Sequence, residues 1–206
     1  MKKLFTLLLL TILPVFAMAE GDSPVVIDGI SYKFAENVLE AEVVSNESSK
    51  YTGDVIIPSS VLYEGKEYVV TSIGKLAFSG CSALLSLKIP SSVKNIEYGI
   101  CSGCDALTSL IVDDANSVYD SRNDCNAIIE TSSNTLISGC KTTNIPYSVK
   151  NIGELSFSSL KELKTISIPN SVVFIGSAAF SDSGLTSIEI PNSVTFLQDG
   201  VFSNCI

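Results

Sequence analysis

No histidine occurs anywhere in the 206 residues. That excludes His-ligated zinc and every catalytic arrangement in which an imidazole activates a serine or a cysteine. Basic residues are also scarce, 13 Lys and Arg against 22 Asp and Glu, and they are scattered along the chain. A phosphate-binding surface needs clustered Lys or Arg, so nucleic acid is a poor partner, and binding to an anionic membrane fails for the same reason. Charged residues make up only 17% of the chain, and much of its polarity comes from Ser and Thr. There is no phosphate loop, because the glycines are spaced apart rather than packed as Gly-x-x-x-x-Gly-Lys. After the first twenty residues no apolar stripe of helical period persists, and short Ser/Thr/Ile/Val segments between Pro, Asn and Gly favour strands and turns.

Long apolar runs are missing too. The segment Leu4–Phe16 contains Pro14 and falls short of the roughly 20 residues a spanning helix needs. With Lys2 and Lys3 before it and Ala17-Met18-Ala19 after it, the segment reads as an export signal over residues 1–19. The mature chain then starts near Glu20 and is exported to the cell surface, the periplasm or the medium, with no membrane insertion after cleavage.

What the chain has is repetition. Ile168-Pro169-Asn170-Ser171-Val172 returns as Ile190-Pro191-Asn192-Ser193-Val194, and Phe180 returns as Phe202. Pro146 to Pro169, Phe157 to Phe180, Ile73 to Ile96, Leu84 to Leu107 and Cys81 to Cys104 repeat the interval. A period of about 22–23 residues means a solenoid, whose units are too small to bury their apolar side alone and must stack on their neighbours. Each unit reads Leu-x-x-Ile-x-Ile-Pro-x-Ser-Val-x-x-Ile-Gly-x-x-Ala-Phe-x-x-Cys. Alternation such as Ile188 and Ile190 predicts a short strand that Pro191 ends, and Val194 and Leu197 are expected to turn inward after it. Gly74, Gly153 and Gly176 suit a tight turn with positive φ. Ala77-Phe78 and Ala179-Phe180 are expected to close the back of the coil as short helical or 3-10 turns.

This pattern resembles the BspA-like leucine-rich repeat family of bacterial and protist surface proteins. Thr71-Ser72-Ile73-Gly74, Ala77-Phe78-Ser79-Gly80-Cys81 and the two Ile-Pro-Asn-Ser-Val segments stand in that family's order, from about Val55 onward. Tyr119–Thr131 also resembles an insertion of such proteins from Bacteroides-like bacteria. The resemblance implies an α/β, strand-rich solenoid: a right-handed coil with a parallel sheet on its concave side. It also implies a surface or secreted protein, since some relatives bind host matrix proteins or other cells.

Residues 20–54 lack the repeat and read as a strand-rich N-terminal cap, with a hairpin over Ile27–Tyr32 and a strand near Leu39–Val44. The solenoid then covers 55–206, with a second hairpin around Tyr63–Tyr68 and a hairpin insertion at about 113–144. The chain stops partway through a unit, and an uncapped end is open to self-association.

Cys101-Ser102-Gly103-Cys104 has the spacing of a thiol oxidoreductase. In the repeat register, however, Cys104 takes the usual Cys position and Cys101 the place of Phe78. Cys125 and Cys140 flank Thr131-Ser132-Ser133-Asn134. If Glu130 faces Thr135 across that turn, the same register brings Cys125 opposite Cys140, within reach of a disulfide. Asp113, Asp114, Asp120 and Asp124 match no known calcium loop and read as a solvated acidic loop, so neither a metal nor a cofactor is expected.

If Leu84, Leu87 and Ile89 point inward, Ser86 and Lys88 point out. The corresponding outward pairs are Ser109 with Ile111, Thr165 with Ser167, and Ser187 with Glu189. This stripe is the candidate surface for proteins or glycans of a host or neighbouring cell. Three functions follow from these readings: an exported, non-enzymatic binding or adhesion protein; a structural or assembly module, or a fragment of a longer surface protein; and an enzyme using acids or the Cys101/Cys104 pair, for which no nucleophile has a base beside it.

Overall fold

In a computed structural model the protein is described over residues 23–205, so the expected export signal lies outside the described residues. The N-terminal strands β1 (Val25–Ile27) and β2 (Ile30–Ala35) form the expected hairpin. Its turn residues Asp28 and Gly29 have φ of 48° and 81°, the left-handed pair that suits a two-residue hairpin loop. Strand β3 (Glu40–Val43) lies antiparallel to β2. After β4 (Gly53–Ile56) comes a second hairpin, β5 (Ser60–Tyr63) with β6 (Lys66–Ile73), closed by Glu64 and Gly65 at φ of 50° and 75°. Strands β7 (Leu84–Ile89), β8 (Asn95–Ile96) and β9 (Ser109–Val112) belong to the first full repeats.

Coils built this way stack through parallel rows. In one row β4, β7 and β9 form a three-stranded parallel sheet. In a second row β3, β6 and β8 pair in parallel, so that Val43, Ile73 and Ile96 stand in register. Residues 40–43, which carry no repeat motif, and 53–56, at the edge of the repeat pattern, thus supply the first rungs of both rows. The cap is the first coil of the stack.

The third row is the back of the coil, where the structure corrects an expectation. No helix forms there. Residues 74–84 close instead through successive turns, among them Ala77 N–H to Gly74 O at 3.2 Å and Cys81 N–H to Phe78 O at 3.1 Å. Two left-handed residues per turn prevent helical continuation: Leu76 and Gly80 in one coil, Gly99 and Gly103, Leu155 and Ser159, and Ala178 and Asp182 in others. The only described 3-10 turn is Arg122–Asp124, inside the insertion. The backs are joined by Gly80 N–H to Ser102 O at 2.7 Å, Gly103 N–H to Ser158 O at 3.0 Å and Ser159 N–H to Ser181 O at 2.8 Å.

Gly74, Gly153 and Gly176 serve a different purpose from the expected one. None of them has positive φ. At Gly153 and Gly176 neighbouring coils come too close for a side chain: a Cβ on Gly176 would lie 2.7 Å from Glu154 N, and one on Gly153 would lie 2.9 Å from Leu136 O. Positive φ falls two residues later, at Leu76, Leu155 and Ala178.

The insertion contributes β10 (Tyr119–Asp120), β11 (Ala127–Glu130) and β12 (Thr135–Gly139). Strand β12 then pairs in parallel with β13 (Asn151–Ile152), and β13 with β14 (Phe174–Ile175). Leu136 therefore takes the rung position held by Ile152 and Ile175. The insertion adds no turn on the back, since Gly103 already bonds directly to Ser158 there. Strand β11 does not lie on the surface. Ile128 packs with the N-terminal apolar cluster, whereas Ala127 and Ile129 pack with the C-terminal one. A strand buried on both faces thus partitions the core into two columns.

Candidate binding face

The β4-β7-β9 sheet presents one side to the core. Leu87, Ile89, Leu110 and Val112 are buried beneath it. Strand alternation sends the intervening residues outward. Pairing aligns them in two rows across the sheet: Asp54 opposite Ser86 opposite Ser109, and Ile56 opposite Lys88 opposite Ile111. Ser86 Oγ donates to Asp54 Oδ1 at 2.5 Å. Ile56 and Ile111 are 68% and 46% exposed on either side of Lys88.

Ser86, Lys88, Ser109 and Ile111 are therefore brought together as the alternation predicts. Asp54 and Ile56 complete both rows, although a solenoid boundary at residue 55 cuts through their strand. The signal for them was present, because Pro58-Ser59-Ser60-Val61 matches Pro90-Ser91-Ser92-Val93 and counting back aligns Asp54 with Ser86.

The remaining four expected residues are placed differently. Thr165, Ser167, Ser187 and Glu189 are exposed, but the segments carrying them form no strand. The sheet stops at β9 because the insertion occupies its edge. Val112 N–H donates to Ser121 Oγ at 2.9 Å, and Ser121 Oγ donates to Leu110 O at 3.4 Å. Beyond it Thr142 Oγ1 donates to Thr108 O at 2.7 Å, and Asn144 N–H donates to Cys125 O at 3.1 Å. A side chain and a loop have replaced the backbone ladder. Leu197, expected inward, is 41% exposed on the last described coil.

A family model for the BspA type leucine rich repeat region, in six copies, matches residues 65–135 and 124–206. The chain belongs to this family. Solved structures similar to it include a leucine-rich repeat protein from Bacteroides ovatus, 31% identical, covering 86% of this chain and 38% of that one, with a TM-score of 0.48. Another, from Eubacterium ventriosum, is 25% identical and covers 70% of this chain and 37% of its own, with a TM-score of 0.54. A leucine rich cell surface protein from Faecalibacterium prausnitzii is 16% identical over 91% of this chain and 81% of that one, with a TM-score of 0.49. This chain spans less than half the length of the first two. Among curated proteins none matches it. The match is to a repeat family rather than to an enzyme family, and the strand-rich, nearly helix-free architecture fits a repeat solenoid.

The BspA-type register accounts for the cysteines. Cys101 and Cys104 are both buried, and Cys104 Sγ donates to Phe78 O at 3.1 Å, as Cys205 Sγ does to Phe180 O in the last coil. The Cys101 thiol beside it, together with burial, pushes the Cys104 thiol far above the usual range. A thiol held protonated in this way is a poor nucleophile. The expected Cys125–Cys140 disulfide is corrected. Glu130 does face Thr135, but a bulge between Ile128 and Ile129 shifts the register by one, so Ala127 faces Gly139. Such a slip exchanges the faces on which side chains lie. Cys125 packs in the C-terminal cluster and Cys140 in the N-terminal one, and both are free thiols.

One carboxylate of the acidic loop, Asp120, is used internally, whereas Asp114 and Asp124 are exposed. Asp120 accepts from Arg122 Nε at 2.7 Å, and Arg122 Nη1 also reaches Asn134 Oδ1 at 2.8 Å and Ser148 Oγ at 3.3 Å. Among the described residues no group of three or more His, Cys, Asp or Glu is placed to hold a metal ion.

Proposed function

We propose that the protein is exported and non-catalytic, and that it binds proteins or glycans of a host or neighbouring cell surface. In this reading the coil is right-handed, and the β4-β7-β9 sheet lies on its concave side. The observation that carries it is the pair of outward rows, Asp54-Ser86-Ser109 and Ile56-Lys88-Ile111, held in register by backbone pairing. Hydroxyls, one carboxylate and one ammonium set between exposed isoleucines offer hydrogen bonds at a rigid spacing of about 4.8 Å between strands. Such a face suits an extended polymer better than a small molecule.

The test is retention of host matrix proteins and bacterial surface polymers on the immobilised chain. Lys88→Glu with Ile111→Ser is expected to weaken the retained interaction about tenfold or more, in the manner of central interface residues. Unchanged binding by that variant overturns the assignment of the face. Export is checked by N-terminal sequencing of the secreted product, which is expected to begin at Glu20.

A second reading, assembly, has its own observation. Phe196 is 67% exposed on the last described coil, with Leu197 beside it and Val173 and Phe174 exposed on the coil before. Self-association through this patch predicts a concentration-dependent rise in mass by light scattering that Phe196→Ser abolishes.

A further inference from the structure

Strand β4 is the edge of its sheet, and its free edge opens onto a cleft of about 600 Å³. Asp54, Val55 and Ile56 form one wall, Val26 and Asp28–Ile30 of the first hairpin line another, and part of the Asn46–Thr52 loop completes the cleft. On its paired side β4 bonds to β7 through alternate residues: Gly53 N–H donates to Ala83 O at 2.9 Å and Ile57 N–H to Lys88 O at 3.0 Å. Val55, between them, pairs with Leu87. Alternation therefore turns the amides and carbonyls of Asp54 and Ile56 away from β7, towards the cleft. Neither residue makes a backbone hydrogen bond on that side among the described residues.

The opposite edge of the same sheet is treated differently, because Ser121 satisfies β9 there. Exposed strand edges invite pairing by another chain. Here one edge is blocked and the other lies in a cleft.

We propose that the free edge of β4 binds an extended peptide as an added strand, one carrying a basic side chain opposite Asp54 and an apolar one opposite Ile56. The reading rests on this chain being a protein-binding repeat protein; it uses the backbone edge at Asp54 and Ile56, where both outward rows begin, and does not involve Lys88 or Ile111. Main-chain hydrogen bonds to Asp54 and Ile56 supply affinity, and side chains on alternate residues supply selectivity. The charge of the cleft selects the partner. Asp28 and Asp54 face it, while Lys50, the one cation lining it among the described residues, donates its ammonium to Ser79 O at 2.9 Å. The chain as a whole carries a net charge of −9. Ile56, 68% exposed, gains an apolar neighbour when a strand is added beside it.

The probe is the peptide acetyl-Lys-Thr-Val-Thr-Lys-amide, which presents the same pattern in either strand direction. It is titrated into the full chain with amide chemical shifts recorded. Shifts are expected at Asp54, Val55 and Ile56. Methylation of alternate peptide nitrogens, or replacement of both lysines by glutamates, is expected to weaken binding about tenfold or more. Ile56→Pro removes an amide that β7 does not use, so it is expected to keep the unfolding midpoint and lose binding. Ile56→Ala keeps that amide and retains most of the binding. No shift at millimolar peptide overturns the proposal. So do shifts confined to Ser86–Ile111, equal binding by the methylated peptide, or equal loss in the Pro and Ala variants. Should the Pro variant fail to fold, the methylated peptide on the unaltered chain decides. Failure here with intact Lys88-dependent binding removes the edge site and leaves the outward rows standing.

Discussion

Gly176 shows how a single atom is constrained in a stacked coil. A Cβ there would press on the backbone of Glu154 and Gly153, which cannot swing aside as a side chain can. Gly176→Ala is expected to cost about 1–3 kcal/mol, the range for overpacking, read as a lower urea midpoint with unchanged slope. Asp120 gives a pH-dependent test. Its partial burial works to raise its pKa, but hydrogen bonds from Arg122 and Thr131 outweigh this and hold it below the usual carboxylate range. A carboxyl depressed in the folded state contributes stability above its unfolded value near 3.9, and loses it as pH falls through the folded value. Asp120→Asn is therefore expected to flatten the acid limb of a stability-versus-pH curve below about pH 4 and to lower the plateau above it. Burial pushes the Cys125 thiol up to about 11, and the other repeat thiols are buried, with only Cys205 partly exposed. Alkylation of the native chain near neutral pH should then modify Cys205 first, and intact-mass measurement should show all six cysteines free. A disulfide mapped to Cys125 and Cys140 by mass analysis of peptides from the unreduced chain would contradict the bulged register.

At the scale of elements, the turns and the insertion behave differently. The two N-terminal hairpins were legible because Asp28-Gly29 and Glu64-Gly65 are local signals: left-handed backbone at both loop positions dictates a two-residue turn. The back of the coil was misread because Ala-Phe pairs are compatible with a helix, whereas left-handed residues such as Leu76 and Leu155 arise from contacts between coils. Within the insertion β11 and β12 pair antiparallel, but burial of β11 on both faces was not visible in the sequence. Alternation normally leaves one face of a strand polar, and Ala127-Ile128-Ile129 show no alternation because a core lies on either side. Ile128→Ala is expected to destabilise by about 2–5 kcal/mol. Since β11 couples the two apolar columns, unfolding of that variant should separate into two transitions by hydrogen exchange, with residues 163–205 opening apart from 30–112. A single cooperative transition would show that the columns are coupled elsewhere.

For the whole molecule, stacking is what makes each coil stable. Apolar burial runs from Ile30 to Val201 through two columns joined at the insertion, and a polar substitution in any rung is felt by both neighbouring coils. The surfaces proposed for binding are what is left unpaired after stacking: the outward rows of β4-β7-β9, the free edge of β4 and the exposed apolar patch around Phe196. Each has a separate readout, namely Lys88-dependent retention, amide shifts at Ile56 and mass by light scattering. Lys88 separates the first from the second, because it lies in an outward row and not on the free edge of β4.

The sequence by itself determined the period, and with it the repeat solenoid and the inward or outward sense of Ser86, Lys88, Ser109 and Ile111; the family resemblance came from the residue motifs within each unit. Period and alternation are local properties that any stacked coil must obey. Only the tertiary structure decided that the ordered face ends at β9, that Cys125 and Cys140 lie in different columns and that β4 keeps an open edge. These depend on which backbone groups remain unpaired once an irregular segment has been packed between regular coils. No repeat motif encodes that.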